Sequence, residues 1–112
     1  MTFTIKEGDT APAVKATLKR GDGDVVDLTG VQNIEFYLED ALEGIIVEDD
    51  LSGNVSIVSA SDGLIQYAWQ DGDTDITGQK QAEFSVTFPS GDTETFPNSE
   101  YLYITVQNRL SE

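Results

Sequence analysis

Along most of this chain apolar side chains fall on every second position, the spacing that lines up one face of an extended strand. The densest stretch lies past the middle. Ile65, Tyr67 and Trp69 share one parity and, beyond an acidic connection, Ala82, Phe84, Val86 and Phe88 share one too. These runs read as the central strand pair of a β-sandwich, because Trp and Phe bury the most apolar area per residue and belong at the centre of a small domain. The connection between them, 71–78, is dense in Asp, Gly and Thr, so it is expected at the surface.

Shorter pieces repeat the pattern. Phe3 and Ile5 alternate with Thr2, Thr4 and Lys6 until Gly8 and Pro12 interrupt. Val14, Ala16 and Leu18 alternate with Lys15, Thr17 and Lys19, and residues 20–24 read as a hairpin turn from which 25–28 begin a return strand. Ile34, Phe36 and Leu38 alternate with Glu35, Tyr37 and Glu39, a strand with one buried and one wet face. Residues 40–44 fit a loop or a single helical turn. Ile45-Ile46-Val47 is a short apolar run followed by the charged Glu48-Asp49-Asp50, and Val55, Ile57 and Ser59 oppose Ser56 and Val58 in a further strand. Residues 93–96 are short and extended between two turns. Leu102, Ile104 and Val106 alternate with Tyr101, Tyr103 and Thr105 in the closing strand. Short strands punctuated by Gly, Asp, Pro and Asn, with no amphipathic helix, predict an all-β chain in which one antiparallel sandwich of about eight short strands fills 1–112.

Charge changes the picture of partners. The 112 residues carry 21 acids against 6 bases, a net charge of −15. Such a surface repels nucleic acid and anionic membrane, whose proteins rely on Lys and Arg, so neither is expected as a partner. Two readings of the acidity stand: a solubilising surface, or a protein adapted to concentrated salt, where screening relieves self-repulsion. Because the acids are interleaved with β-branched and aromatic residues, the chain is expected to fold. Without His or Cys it has no Cys/His zinc site, no disulfide and no Ser-His-Asp or Cys-His catalysis. No run approaches a membrane span, and the first residues lack the pattern of a cleaved leader.

Candidate chemistry is sparse. Asp71, Asp73 and Asp75 have the opening spacing of a calcium loop, but Ile76 and Ala82 occupy the places of its Gly and Glu. What remains is a weak candidate site for calcium or another cation, set against a solvated acidic turn; no other cofactor is indicated. With so many acids, no carboxylate pair is singled out for glycoside hydrolysis, and no Gly spacing cradles phosphate, so the chain is read as non-enzymatic. Arg20-Gly21-Asp22 in a Gly- and Asp-rich turn is read as chance. Tyr37, Tyr101 and Tyr103 fall opposite the buried parity and are the interface candidates, because outward Tyr offers contact area at small entropic cost. Their alternative role is to cover the sandwich edge.

The order of landmarks adds a family. Residues 3–12, Val26-Asp27-Leu28-Thr29-Gly30, Ile34-Glu35-Phe36, Gly63 with Tyr67 and Trp69, 72–75 with Gly78, 83–88, and Thr95-Phe96-Pro97-Asn98 together resemble the N-terminal domain of the phage baseplate upper protein. That resemblance implies an immunoglobulin-like sandwich in a tailed-virus structural protein. It implies localisation in the virion, at the tail tip or baseplate, with other virion structural proteins as partners and homo-oligomerisation within the particle. Lys80 stands where the family pattern often has an aromatic, so a corner tyrosine bond is expected to be missing or rebuilt. Combined with the acidity, the resemblance suggests a virus of a halophilic, haloarchaeal host. The alternatives are a capsid-surface decoration protein and a carbohydrate-binding module used in host attachment, with Trp69 or an outward Tyr stacking on sugar.

Overall fold

Nine strands and no helix make up the described part of the chain in the computed structural model, which covers residues 2–98 and 101–110. In order they are β1 (Thr2–Lys6), β2 (Val14–Thr17), β3 (Asn33–Asp40), β4 (Gly44–Asp50), β5 (Val55–Ser59), β6 (Leu64–Tyr67), β7 (Gly78–Thr87), β8 (Thr93–Phe96) and β9 (Leu102–Gln107). They form two layers. The larger sheet runs β1-β9-β7-β3-β4, with β8 paired to the far half of β7, and the smaller runs β2-β6-β5. This is the all-β, immunoglobulin-like sandwich that the alternation and the resemblance predict. One pair departs from antiparallel order: β1 lies parallel to β9, Phe3 opposite Ile104 and Ile5 opposite Val106.

The predicted inward faces are inward. Ile34, Phe36 and Leu38 of β3, Ala82, Phe84 and Val86 of β7, and Leu102, Ile104 and Val106 of β9 are all buried, as are Ile65, Tyr67 and Trp69. Phe36 stacks on Tyr67 across the sandwich with ring centroids 4.6 Å apart and lies 4.9 Å from Phe84 beside it. Trp69 meets Tyr67 edge-on at 5.5 Å and Phe3 at 6.1 Å, so aromatic contact ties both layers together.

Three expectations need correction. The two aromatic-rich runs are not paired with each other: β6 is the middle strand of the smaller sheet and β7 belongs to the larger, so they face one another across the core. Alternation fixes the buried face of a strand, not its hydrogen-bonding neighbour. The connection between them is not wholly at the surface. Thr74 is buried, its hydroxyl donating to Asp9 O at 2.9 Å while its carbonyl accepts from Gly8 N, which ties this loop to the end of β1. The return after residues 20–24 is not a strand but an isolated bridge, Lys19 to Val25, with Val26 N donating to Leu18 O. Of the two options open for 40–44, the loop is the one taken: residues 41–43 turn the β3–β4 hairpin, and the strand that follows runs on through Glu48-Asp49-Asp50. On this edge strand Glu48 is exposed to water, whereas Asp49, opposite the buried Phe36, accepts from Asn54 N and Asn54 Nδ2.

Gly63, in the turn before β6, is a point of close approach. Its φ is +65°, and a Cβ there would stand 2.7 Å from Val26 O and 3.0 Å from Leu18 O. Both obstacles are backbone, so only glycine lets the β5–β6 turn seat against the end of β2.

Candidate functional site

Tyr37 and Tyr103 emerge on the outer face of the larger sheet. Tyr103 is opposite Gln81 of β7, and Tyr37 is opposite Glu83 of β7 and Glu48 of β4, so the two rings stand in adjacent rows, two strands apart. Both are half-buried, and Tyr101, just ahead of β9, is 39% exposed. The Tyr37 hydroxyl donates to Glu35 Oε2 at 2.6 Å; that bond to a carboxylate, and burial, push its pKa up to about 12. Beside Tyr103, Glu39, Ala41, Gln79 and Gln81 form a shallow polar dish.

Charge is distributed unequally between the layers. The strands of the smaller sheet contain no Asp or Glu, whereas those of the larger include Glu35, Glu39, Glu48, Asp50 and Glu83. Residues 15–20 hold Lys15, Lys19 and Arg20, half of the six basic residues.

The Asp71, Asp73, Asp75 string does not converge. Asp73 turns inward, where its Oδ2 accepts from the Tyr67 hydroxyl at 2.5 Å and from Gln70 N at 2.9 Å, while Asp71 and Asp75 stay exposed. Burial and the Asp73 carboxylate together push the Tyr67 phenol well above its usual range. Among the described residues no three carboxylates stand close enough to hold a metal ion. Trp69 is 3% exposed and its indole is closed to solvent ligands.

Sequence reading noted Lys80 only as standing in the place of an expected aromatic and missed its burial and its ion pair. Lys80 is fully buried, its ammonium 2.9 Å from Asp40 Oδ1 and 2.9 Å from Thr77 O. Asp40 Oδ2 in turn accepts from the backbone N–H of Leu42 and of Glu43, both at 3.0 Å. Donation from Lys80, then from those two amides, holds the Asp40 carboxyl below the usual carboxylate range. The pair occupies the position where the family pattern suggested an aromatic, and it pins the β3–β4 turn to β7. Its signal was present: Lys80 has the parity of Ala82, Phe84 and Val86.

A groove of about 270 Å³ opens on the flank between β2 and Pro97-Asn98. Ala16, Leu18, Phe84, Phe96 and Leu102 line its depth, all of them buried, with Pro97 and Asn98 on the far wall and Lys19 and Arg20 at the rim. Arg20 is held in place by Glu94, Nη2 to Oε1 at 3.0 Å, and its guanidinium lies 5.8 Å from the Phe88 ring centroid. These surfaces can hold polypeptide or a small amphipathic group. The chain matches no protein-family model and no curated protein.

Proposed function

We propose that this chain is a non-enzymatic structural adaptor of a tailed-virus virion, located at the tail tip or baseplate, where it docks neighbouring virion proteins. One observation carries the reading: an aromatic core closed across both sheets turns the half-buried Tyr37 and Tyr103 outward on the face of the larger sheet. A stiff sandwich loses little entropy on docking, and outward Tyr on a strand face supplies contact area. The landmarks shared with the baseplate upper protein domain supply the virion context. Immunogold labelling of intact particles tests it. Label confined to one end of the tail is the expected result; label in many copies over the shell supports capsid decoration instead, and unlabelled particles overturn the virion reading.

The acidity fits a virus of a haloarchaeal host. At net −15 the folded chain repels itself, and salt screens that repulsion. The melting temperature is expected to rise by several degrees between low and molar sodium chloride in thermal denaturation; a melting temperature indifferent to salt would remove the halophilic assignment.

A further inference from the structure

We propose that Asp71-Gly72 is the site at which the folded chain modifies itself, Asp71 converting to isoaspartate through a succinimide. The inference goes beyond the adaptor reading and does not depend on it.

The reaction needs only water. The Gly72 backbone nitrogen attacks Cγ of the protonated Asp71 carboxyl; the N–Cγ bond forms, the Cγ–OH bond breaks, and the hydroxyl leaves with the amide proton as water. A second water then opens the five-membered ring at either carbonyl. Opening at Cγ restores Asp71, whereas opening at the main-chain carbonyl leaves Gly72 joined through the side chain, with one more methylene in the main chain. Nothing is oxidised or reduced. Glycine after aspartate favours the attack because no Cβ stands beside its nitrogen.

The chain has three such pairs, Asp22-Gly23, Asp62-Gly63 and Asp71-Gly72, and the fold separates them. Gly23 N donates to Arg20 O at 2.8 Å and Gly63 N to Ala60 O at 3.2 Å, so each amide must first give up its turn bond. Their carboxylates are engaged too: Asp22 Oδ1 accepts from Asp24 N, and Asp62 Oδ2 from the Ser59 hydroxyl, both at 2.9 Å. Gly63 is also buried against the backbone of Val26 and Leu18. Asp71 and Gly72 are different. Both are exposed, and among the described residues neither the Asp71 carboxylate nor the Gly72 amide has a hydrogen-bond partner. A Cβ at Gly72 would stand 3.9 Å from Asp75 Oδ2, ordinary contact distance, so there is room for the ring. The product alters a turn that matters to the core: Asp73 N donates to Gln70 O at 3.1 Å, and Asp73 Oδ2 accepts from the Tyr67 hydroxyl. The added methylene lengthens the chain between Gln70 and Asp73.

Isoaspartate mapping of the full chain tests this. Protein kept folded at neutral pH and physiological temperature for weeks is digested, and its peptides are fragmented by electron transfer, which distinguishes the two linkages. Residue 71 is expected to carry several-fold more isoaspartate than residue 22 or residue 62. In guanidinium chloride the three sites are expected to draw level, because the turn bonds that protect two of them are gone. Asp71→Glu keeps the charge at an exposed position but would have to close a six-membered ring, so it is expected to remove most of the isoaspartate from the folded protein. Equal shares at the three sites in the folded protein, a lead for residue 22 or 62, or no isoaspartate unless the chain is denatured would each overturn the proposal. So would a lead for residue 71 that persists undiminished in guanidinium, or Asp71→Glu ageing like wild type.

Discussion

Asp40→Asn is expected to destabilise the fold more than Lys80→Met, although the two residues form one ion pair. The Lys80 side chain is completely buried, whereas that of Asp40 retains 10% exposure and two backbone donors. Removing the carboxylate's charge leaves an ammonium in the core without its counter-ion, a loss of about 3–5 kcal/mol. Removing the ammonium leaves a carboxylate that still accepts two N–H groups and reaches water, and Met fills much of the vacated space. Urea unfolding should therefore place the midpoint of Asp40→Asn well below that of Lys80→Met. The reverse order would mean that Asp40, not Lys80, depends on the pair. Acid separates wild type from Lys80→Met in a defined direction. The folded-state pKa of Asp40 is depressed, so its stabilisation is present in full above the unfolded value of about 3.9 and is lost as pH falls through the folded value. Hence the stability gap between the two proteins should be widest near neutrality and close on acidification below about pH 4.

Phe36→Ala is the second large effect. Phe36 is fully buried, stacks on Tyr67 at 4.6 Å, touches Phe84 at 4.9 Å and meets Trp69 edge-on at 6.5 Å. Its removal opens a cavity where the two layers meet, and Phe-to-Ala changes at such sites cost about 3–5 kcal/mol. That is a large share of the roughly 5–15 kcal/mol that holds a domain of ordinary size. Phe36→Leu keeps much of the volume and should cost clearly less. Denaturant titration of both variants checks the order. A Phe36→Ala loss under about 1 kcal/mol would mean that the ring does not bridge the layers.

How far the chain could be read in advance depends on what alternation encodes. Parity placed Ile34, Phe36 and Leu38 inside and Tyr37 outside, because side-chain direction in a strand is a local property. It could not show that β6 and β7 belong to opposite sheets, or that β1 runs parallel to β9, because pairing is decided by contacts distant in sequence. Thr74 was hidden for a related reason: a single hydroxyl in a polar loop becomes buried only because Gly8 and Asp9 come to meet it. The burial of Lys80 was readable by parity, although the residue was noted only as the place of an absent aromatic. A lysine between Gly78 and Ala82 on an inward face calls for a carboxylate across the strand pair, and Asp40 is directly opposite in register. The flank groove left no mark in the alternation, since Leu18 and Phe96 signal only that they are buried, not that a gap remains between them.

The central claim is that both sheets close on an aromatic core, leaving the surface alone to do the protein's work. Acrylamide quenching of the single indole tests it most directly, since Trp69 is the only Trp and is 3% exposed. The account predicts blue-shifted emission that acrylamide barely quenches in the native protein, rising to the quenching of a free indole in denaturant. Native emission quenched as strongly as in the unfolded chain would contradict it.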